Sequence, residues 1–198
     1  MIYTNIAAST AAVTNRYVVS TNMKVGAYTL ANTTPAWAGA GNVTVTHTTV
    51  VTTDTLGTVV VVGVDLAGQT RSETLTPVAD STVTGVVPFR TITSITGAGW
   101  VIAGTNDTLV CGVAAGAIVC GSQGQLGYVS VNATAAATVV LSDARGTIAT
   151  MKASLAEGTY FTGSFPLDFA GYLKVATTST NDITVVATAT LPGTYSAT

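Results

Sequence analysis

The stretch Gly57-Thr-Val-Val-Val-Val-Gly63-Val-Asp65-Leu-Ala-Gly68-Gln-Thr-Arg71-Ser-Glu73-Thr-Leu-Thr76 decides the fold class. Its first half is a nearly continuous β-branched run, as expected of a strand covered on both faces or central in a sandwich. Asp65-Leu-Ala-Gly68 supplies turn residues. The chain then returns over 70–76 with a period of two, setting Arg71, Glu73 and Leu75 against Thr70, Ser72 and Thr74. Strand, turn and strand predict a hairpin. Pro77 ends it, because proline has no amide to give to a ladder.

The same grammar extends outward. Upstream, Gly41-Asn-Val-Thr-Val-Thr-His47 alternates, which predicts a half-buried strand with Val43 and Val45 inward and Thr44 and Thr46 outward. Downstream, Phe89-Arg90-Thr-Ile-Thr-Ser-Ile95 reads as one alternating strand, with Phe89, Thr91, Thr93 and Ile95 on one face and Arg90, Ile92 and Ser94 on the other. A second Asp-x-x-Gly hairpin is expected at Asp143-Ala-Arg-Gly146, followed by a segment through Tyr160, Phe161 and Phe165 and an irregular tail from Pro192. No amphipathic helical period of useful length interrupts these strands. The expectation is an all-β protein of two tandem antiparallel β-sandwich or jelly-roll-like domains with an extended N-terminal arm. The boundaries read as an N-terminal arm with the first strands over 1–36, a first domain over 37–120, a glycine-rich linker over 121–127 and a second domain over 128–198.

Composition narrows the function classes. Thr and Val make up roughly a third of the 198 residues. Only 8% are charged, whereas soluble monomers carry about 25%. With mean hydropathy at +0.52, threonine must substitute for charge on the surface, or much of that surface is covered by other subunits. A net charge of -2 and seven scattered Lys and Arg residues leave no basic face for nucleic acid. No apolar run reaches the roughly 18 residues of a transmembrane helix. The opening Met1-Ile-Tyr-Thr-Asn has neither the basic nor the apolar region of a secretory signal, so we expect the chain to stay in the cytosol where it is made.

Candidate chemistry is sparse. His47 is the sole histidine, with threonine beside it and no Cys, Asp or Glu near it in sequence, so it reads as an ordinary strand residue. Neither a Gly-x-Ser-x-Gly elbow nor a nucleotide-binding glycine fingerprint occurs. Most of the nine carboxylates fall at predicted turns, where they cap backbone amides. A hydrolase would need some of them to converge in space. No segment concentrates calcium ligands, so no metal and no cofactor is expected. Cys111 and Cys120 would face each other if Ala115-Gly116 were a two-residue turn. That register permits a disulfide, and two free buried thiols are the alternative in a cytosolic product. A carbohydrate-binding module would place Trp37, Trp100, Tyr160 or Tyr172 as stacking platforms.

One resemblance is carried by residues 43–113. The sequence Val64-Asp65-Leu-Ala-Gly68-Gln-Thr-Arg-Ser-Glu73-Thr-Leu, then Thr84-Gly85, then Phe89-Arg90-Thr-Ile-Thr-Ser-Ile95, then Asp107-Thr-Leu-Val-Cys-Gly112, resembles a recurrent module in structural proteins of tailed bacteriophages. Leu141-Ser-Asp143-Ala-Arg-Gly146 and Phe169-Ala-Gly171-Tyr-Leu-Lys-Val are similar to a second such module. The resemblance implies a virion component, most like a capsid decoration (cement) protein. Such a protein binds the major capsid protein from outside, associates with itself as a trimer or dimer, and binds neither nucleic acid nor membrane. A head–tail adaptor, tail or fibre-base component is the alternative. On this reading Tyr3, Tyr17, Val83, Phe89, Arg90 and Ile92 are the expected intersubunit contacts.

Overall fold

The computed structural model describes residues 1–103, 106–133, 138–154, 156–160, 167–179 and 182–189. The described residues form strands and turns with no helix. Strand β1 (Ile2–Ile6) leads into a block of eight: β2 (Val13–Asn22), β3 (Gly26–Ala27), β4 (Gly41–Thr48), β5 (Thr58–Val64), β6 (Thr70–Leu75), β7 (Thr82–Phe89), β8 (Thr91–Ala98) and β9 (Thr108–Val113). Eight more follow: β10 (Ala117–Cys120), β11 (Gly124–Ala133), β12 (Val139–Asp143), β13 (Gly146–Met151), β14 (Gly158–Tyr160), β15 (Leu167–Phe169), β16 (Leu173–Thr177) and β17 (Asp182–Ala189).

The chain divides into two compact units that are nested rather than tandem. Residues 12–36 and 40–115 make one unit, and residues 1–11, 37–39 and 116–198 make the other. We call them the inner and the outer unit, by their order along the chain. The N-terminal residues are therefore no separate arm. β1 pairs antiparallel with β17, from Ile2 opposite Ala187 to Ile6 opposite Ile183, which ties the two chain ends into one sheet. The expected linker over 121–127 is largely strand, because Gly124, Gln125 and Leu126 pair with both β15 and β17. Glycine there accommodates close backbone approach and does not signal flexibility.

The inner unit holds two four-stranded sheets, ordered β2-β9-β4-β7 and β3-β8-β5-β6. Tyr17, Val43, Val45, Leu109 and Cys111 are buried in the first, and Val59, Val61, Ile92 and Ile95 in the second. One apolar face per sheet matches sandwich packing. The outer unit has a sheet ordered β1-β17-β11-β14, with β15 also on β11, and a second ordered β10-β16-β12-β13. Both Asp-x-x-Gly hairpins form as expected, β5 with β6 and β12 with β13.

Two local expectations change. The segment read as one strand from Phe89 to Ile95 breaks at Arg90: β7 belongs to the sheet of β4, whereas β8 joins β5. Within β8, Val62 is opposite Ser94 and Gly63 opposite Ile92, so Thr93 is an extra, unpaired residue. That bulge resets the side-chain parity, and Ile92 and Ile95 both point inward. The cysteines do not share a hairpin either. β9 pairs with β2 and β4 while β10 pairs with β16, and both thiols are free and buried.

Candidate functional site

The chemistry-bearing residues of the inner unit gather at one end of β4. His47 lies in β4 and is 1% exposed, with its Nε2 3.1 Å from Asp107 Oδ2 just before β9. This corrects the reading of His47 as an unremarkable strand residue. Its partner is 60 positions away in sequence, and the β4–β9 pairing brings the two together. His47 Nδ1 is buried without a hydrogen-bond partner.

Asp107 is chiefly a loop anchor. Its Oδ1 accepts the amides of Val50 (2.6 Å) and Val51 (3.0 Å). Burial by itself raises the carboxyl's pKa. The Val51 and Val50 amides and His47 outweigh burial and hold it below the usual carboxylate range. Asp54 accepts the amides of Ala103 (2.7 Å) and Asp107 (3.1 Å), and Asp80 accepts that of Thr49 (2.7 Å). With Thr49, Val51, Leu56 and Ala79, these side chains line a cleft of about 280 Å³. Its chemistry stops short of nucleophilic catalysis. Thr49 and Thr52 supply hydroxyls, yet none bonds the free imidazole nitrogen. Among the described residues no three His, Cys, Asp or Glu side chains are arranged to hold a metal ion.

The remaining carboxylates show what this sequence uses acids for. Asp65 accepts the amides of Ala67 and Gln69, both at 2.9 Å, and pairs with Arg71 across the hairpin turn. Glu73 accepts the amides of Val86 (2.6 Å) and Val87 (3.3 Å) on the edge strand β7. Asp143 accepts from the Arg145 side chain and from the amides of Arg145 and Ala170. Asp182 accepts from the side-chain amides of Asn5 and Asn132. Seven of the nine carboxylates (Asp54, Asp65, Glu73, Asp80, Asp107, Asp143 and Asp182) thus bond amide donors of the chain itself. Six cap backbone amides: Asp65 and Asp143 do so within their own turns, whereas Asp54, Glu73, Asp80 and Asp107 accept amides from distant segments. Asp182 is the exception, with side-chain amides as its donors.

The expected intersubunit residues separate by burial. Tyr17, Phe89 and Ile92 lie in the chain's own core at 0–1% exposure, so another subunit cannot reach them. Each has a small polar or charged neighbour in sequence and reads as half of an alternating edge, while tertiary packing covers them completely. Tyr3 and Arg90 are exposed and Val83 is half-buried. Exposed aliphatics that sequence reading passed over include Val19 and Val86 on strands, Val25, and Val50, Val78, Val101 and Ile102 on loops that carry no periodic signal. Trp37 and Trp100 are buried, so neither indole offers a sugar platform, and Tyr160 and Tyr172 are half-buried.

Comparison with known protein families, with curated proteins and with solved structures finds no match to this chain.

Proposed function

We propose that this chain is a structural subunit of a tailed-bacteriophage particle, binding the outer surface of the capsid lattice and stabilising it. One observation carries the reading. The residues through which the sequence resembles phage structural modules are those that build and brace the inner unit. Asp65 and Gly68 make the hairpin turn, Glu73 caps β7 beside Gly85, and Asp107 anchors the loop after β4. A motif spent on scaffolding suits a protein whose task is to be packed against, and the low charge of the chain suits a surface covered by neighbours. On this reading the chain is not an enzyme, needs no cofactor, and works as a homo-oligomer on the major capsid protein.

Copy number tests it. Quantitative mass spectrometry of purified particles should count on the order of hundreds of copies, set by the symmetry of the lattice. About a dozen copies would place the chain in a ring at the head–tail junction or tail instead, and absence from particles would end the virion reading.

A further inference from the structure

The loops around the cleft are both braced and apolar. Asp80 holds Thr49, Asp107 holds Val50 and Val51, and Asp54 holds Ala103, so three loops are fastened to one another by charged acceptors. These loops carry Val50 (49% exposed), Val78 (55%), Val101 (57%) and Ile102 (42%). Exposed aliphatic side chains on braced loops suit a contact surface, and fixing them beforehand lowers the entropy lost on association.

The charge around them says what kind of partner fits. Asp54, Asp80 and Asp107 line the cleft, and no Lys or Arg is among its described lining residues. Asp80 makes one hydrogen bond to the chain, to Thr49, which leaves acceptor capacity on its exposed carboxylate. A metal ion is a poor occupant, because among the described residues no three His, Cys, Asp or Glu ligands converge. A long cationic side chain is a good one: its methylene stem packs on aliphatic rims while its head meets carboxylates. We propose that this loop end of the inner unit is the surface that grips the protein partner, and that the partner inserts a Lys or Arg side chain set among aliphatic residues. The inference rests on the structural-subunit reading and names the surface that reading requires.

Two measurements test it. In the first, the purified chain is titrated with acetyl-Leu-Arg-Leu-amide and followed by amide NMR. Saturable shifts should appear at Thr49, Val50 and Val51, weaken in Asp80→Asn, and be absent with acetyl-Leu-Gln-Leu-amide. Asparagine keeps the Thr49 acceptor and tolerates the positive φ of Asp80 (50°), so this variant removes charge and leaves the fold intact. No saturable shift, or equal shifts with the Gln peptide, overturns the proposal. In the second, particles bearing the chain are washed with rising NaCl. Asp80→Asn should come off at lower salt than wild type, Asp80→Lys and Ile102→Asp should fail to attach, and Glu157→Gln, an exposed residue of the outer unit, should behave as wild type. Retention of all variants alongside wild type overturns the proposed surface. A wild-type chain missing from particles while the Arg peptide still binds removes the capsid reading and leaves the cation-binding cleft standing.

Discussion

Glu73 and Gly85 show how one residue can be dictated by another across a fold. A Cβ added to Gly85 would lie 2.2 Å from Glu73 Oε2, the carboxylate that caps Val86 and Val87. Gly85→Ala should therefore displace the cap and cost about 1–3 kcal/mol, read as a lower urea midpoint with unchanged m-value. At Asp143 the Arg145 side chain and the Ala170 amide lead a set of contacts that hold the carboxyl down to about 2, against the opposing effect of burial. A depressed folded pKa means that the stabilisation is complete above the unfolded value of about 3.9 and is lost as pH falls through about 2. Carboxyl NMR should find the Asp143 midpoint near 2, and Arg145→Ala should raise it and flatten the acid dependence of stability in that window. Burial pushes the Cys111 thiol up to about 12, so it should resist iodoacetamide at pH 8 in the native chain and react fully in urea. Fast native alkylation of Cys111 would contradict its buried position.

At the scale of elements, the hairpins were legible because their determinants are local. Asp65 bonds amides two and four residues ahead, and Gly68 takes φ +78° within the same turn. The bulge at Thr93 was not legible, because nothing in Phe89-Arg-Thr-Ile-Thr-Ser-Ile95 marks which threonine lacks a partner; the register against β5 settles that. Deleting Thr93 leaves Ile92 and Ile95 two positions apart, so simple alternation keeps both inward without the bulge. The deletion should therefore cost less than the about 1.5–3 kcal/mol of exposing one large aliphatic side chain, as chemical denaturation would measure. A larger loss would mean that the bulge itself, and not only the inward parity of the two isoleucines, is needed where β8 meets β5.

For the whole molecule, nesting has a consequence that a tandem arrangement lacks. β1 supplies an edge strand to β17 from the far end of the chain. Removing residues 1–6 should expose β17 and speed hydrogen exchange over Ile183, Thr184 and Val185, while β5 and β8 of the inner unit keep their protection. Uniform acceleration in both units would show that they unfold as one. The same long-range closure explains the limits of sequence reading at the candidate site. His47 and Asp107 are 60 residues apart, and the exposed Val50, Val78 and Val101 sit in loops whose composition is that of any turn.

The sequence by itself determined the all-β class, the two Asp-x-x-Gly hairpins and the caps that Asp65 and Asp143 place in their own turns. β-branched propensity, period-two alternation and side-chain capping all act within a few residues of their source. Only the tertiary structure decided that the chain ends share a sheet, that Tyr17, Phe89 and Ile92 are core, and that His47 meets Asp107 beside an apolar, anionic cleft. Each of these depends on which strands become neighbours. Strand pairing is settled by burial summed over the entire sheet, which no short window of residues contains.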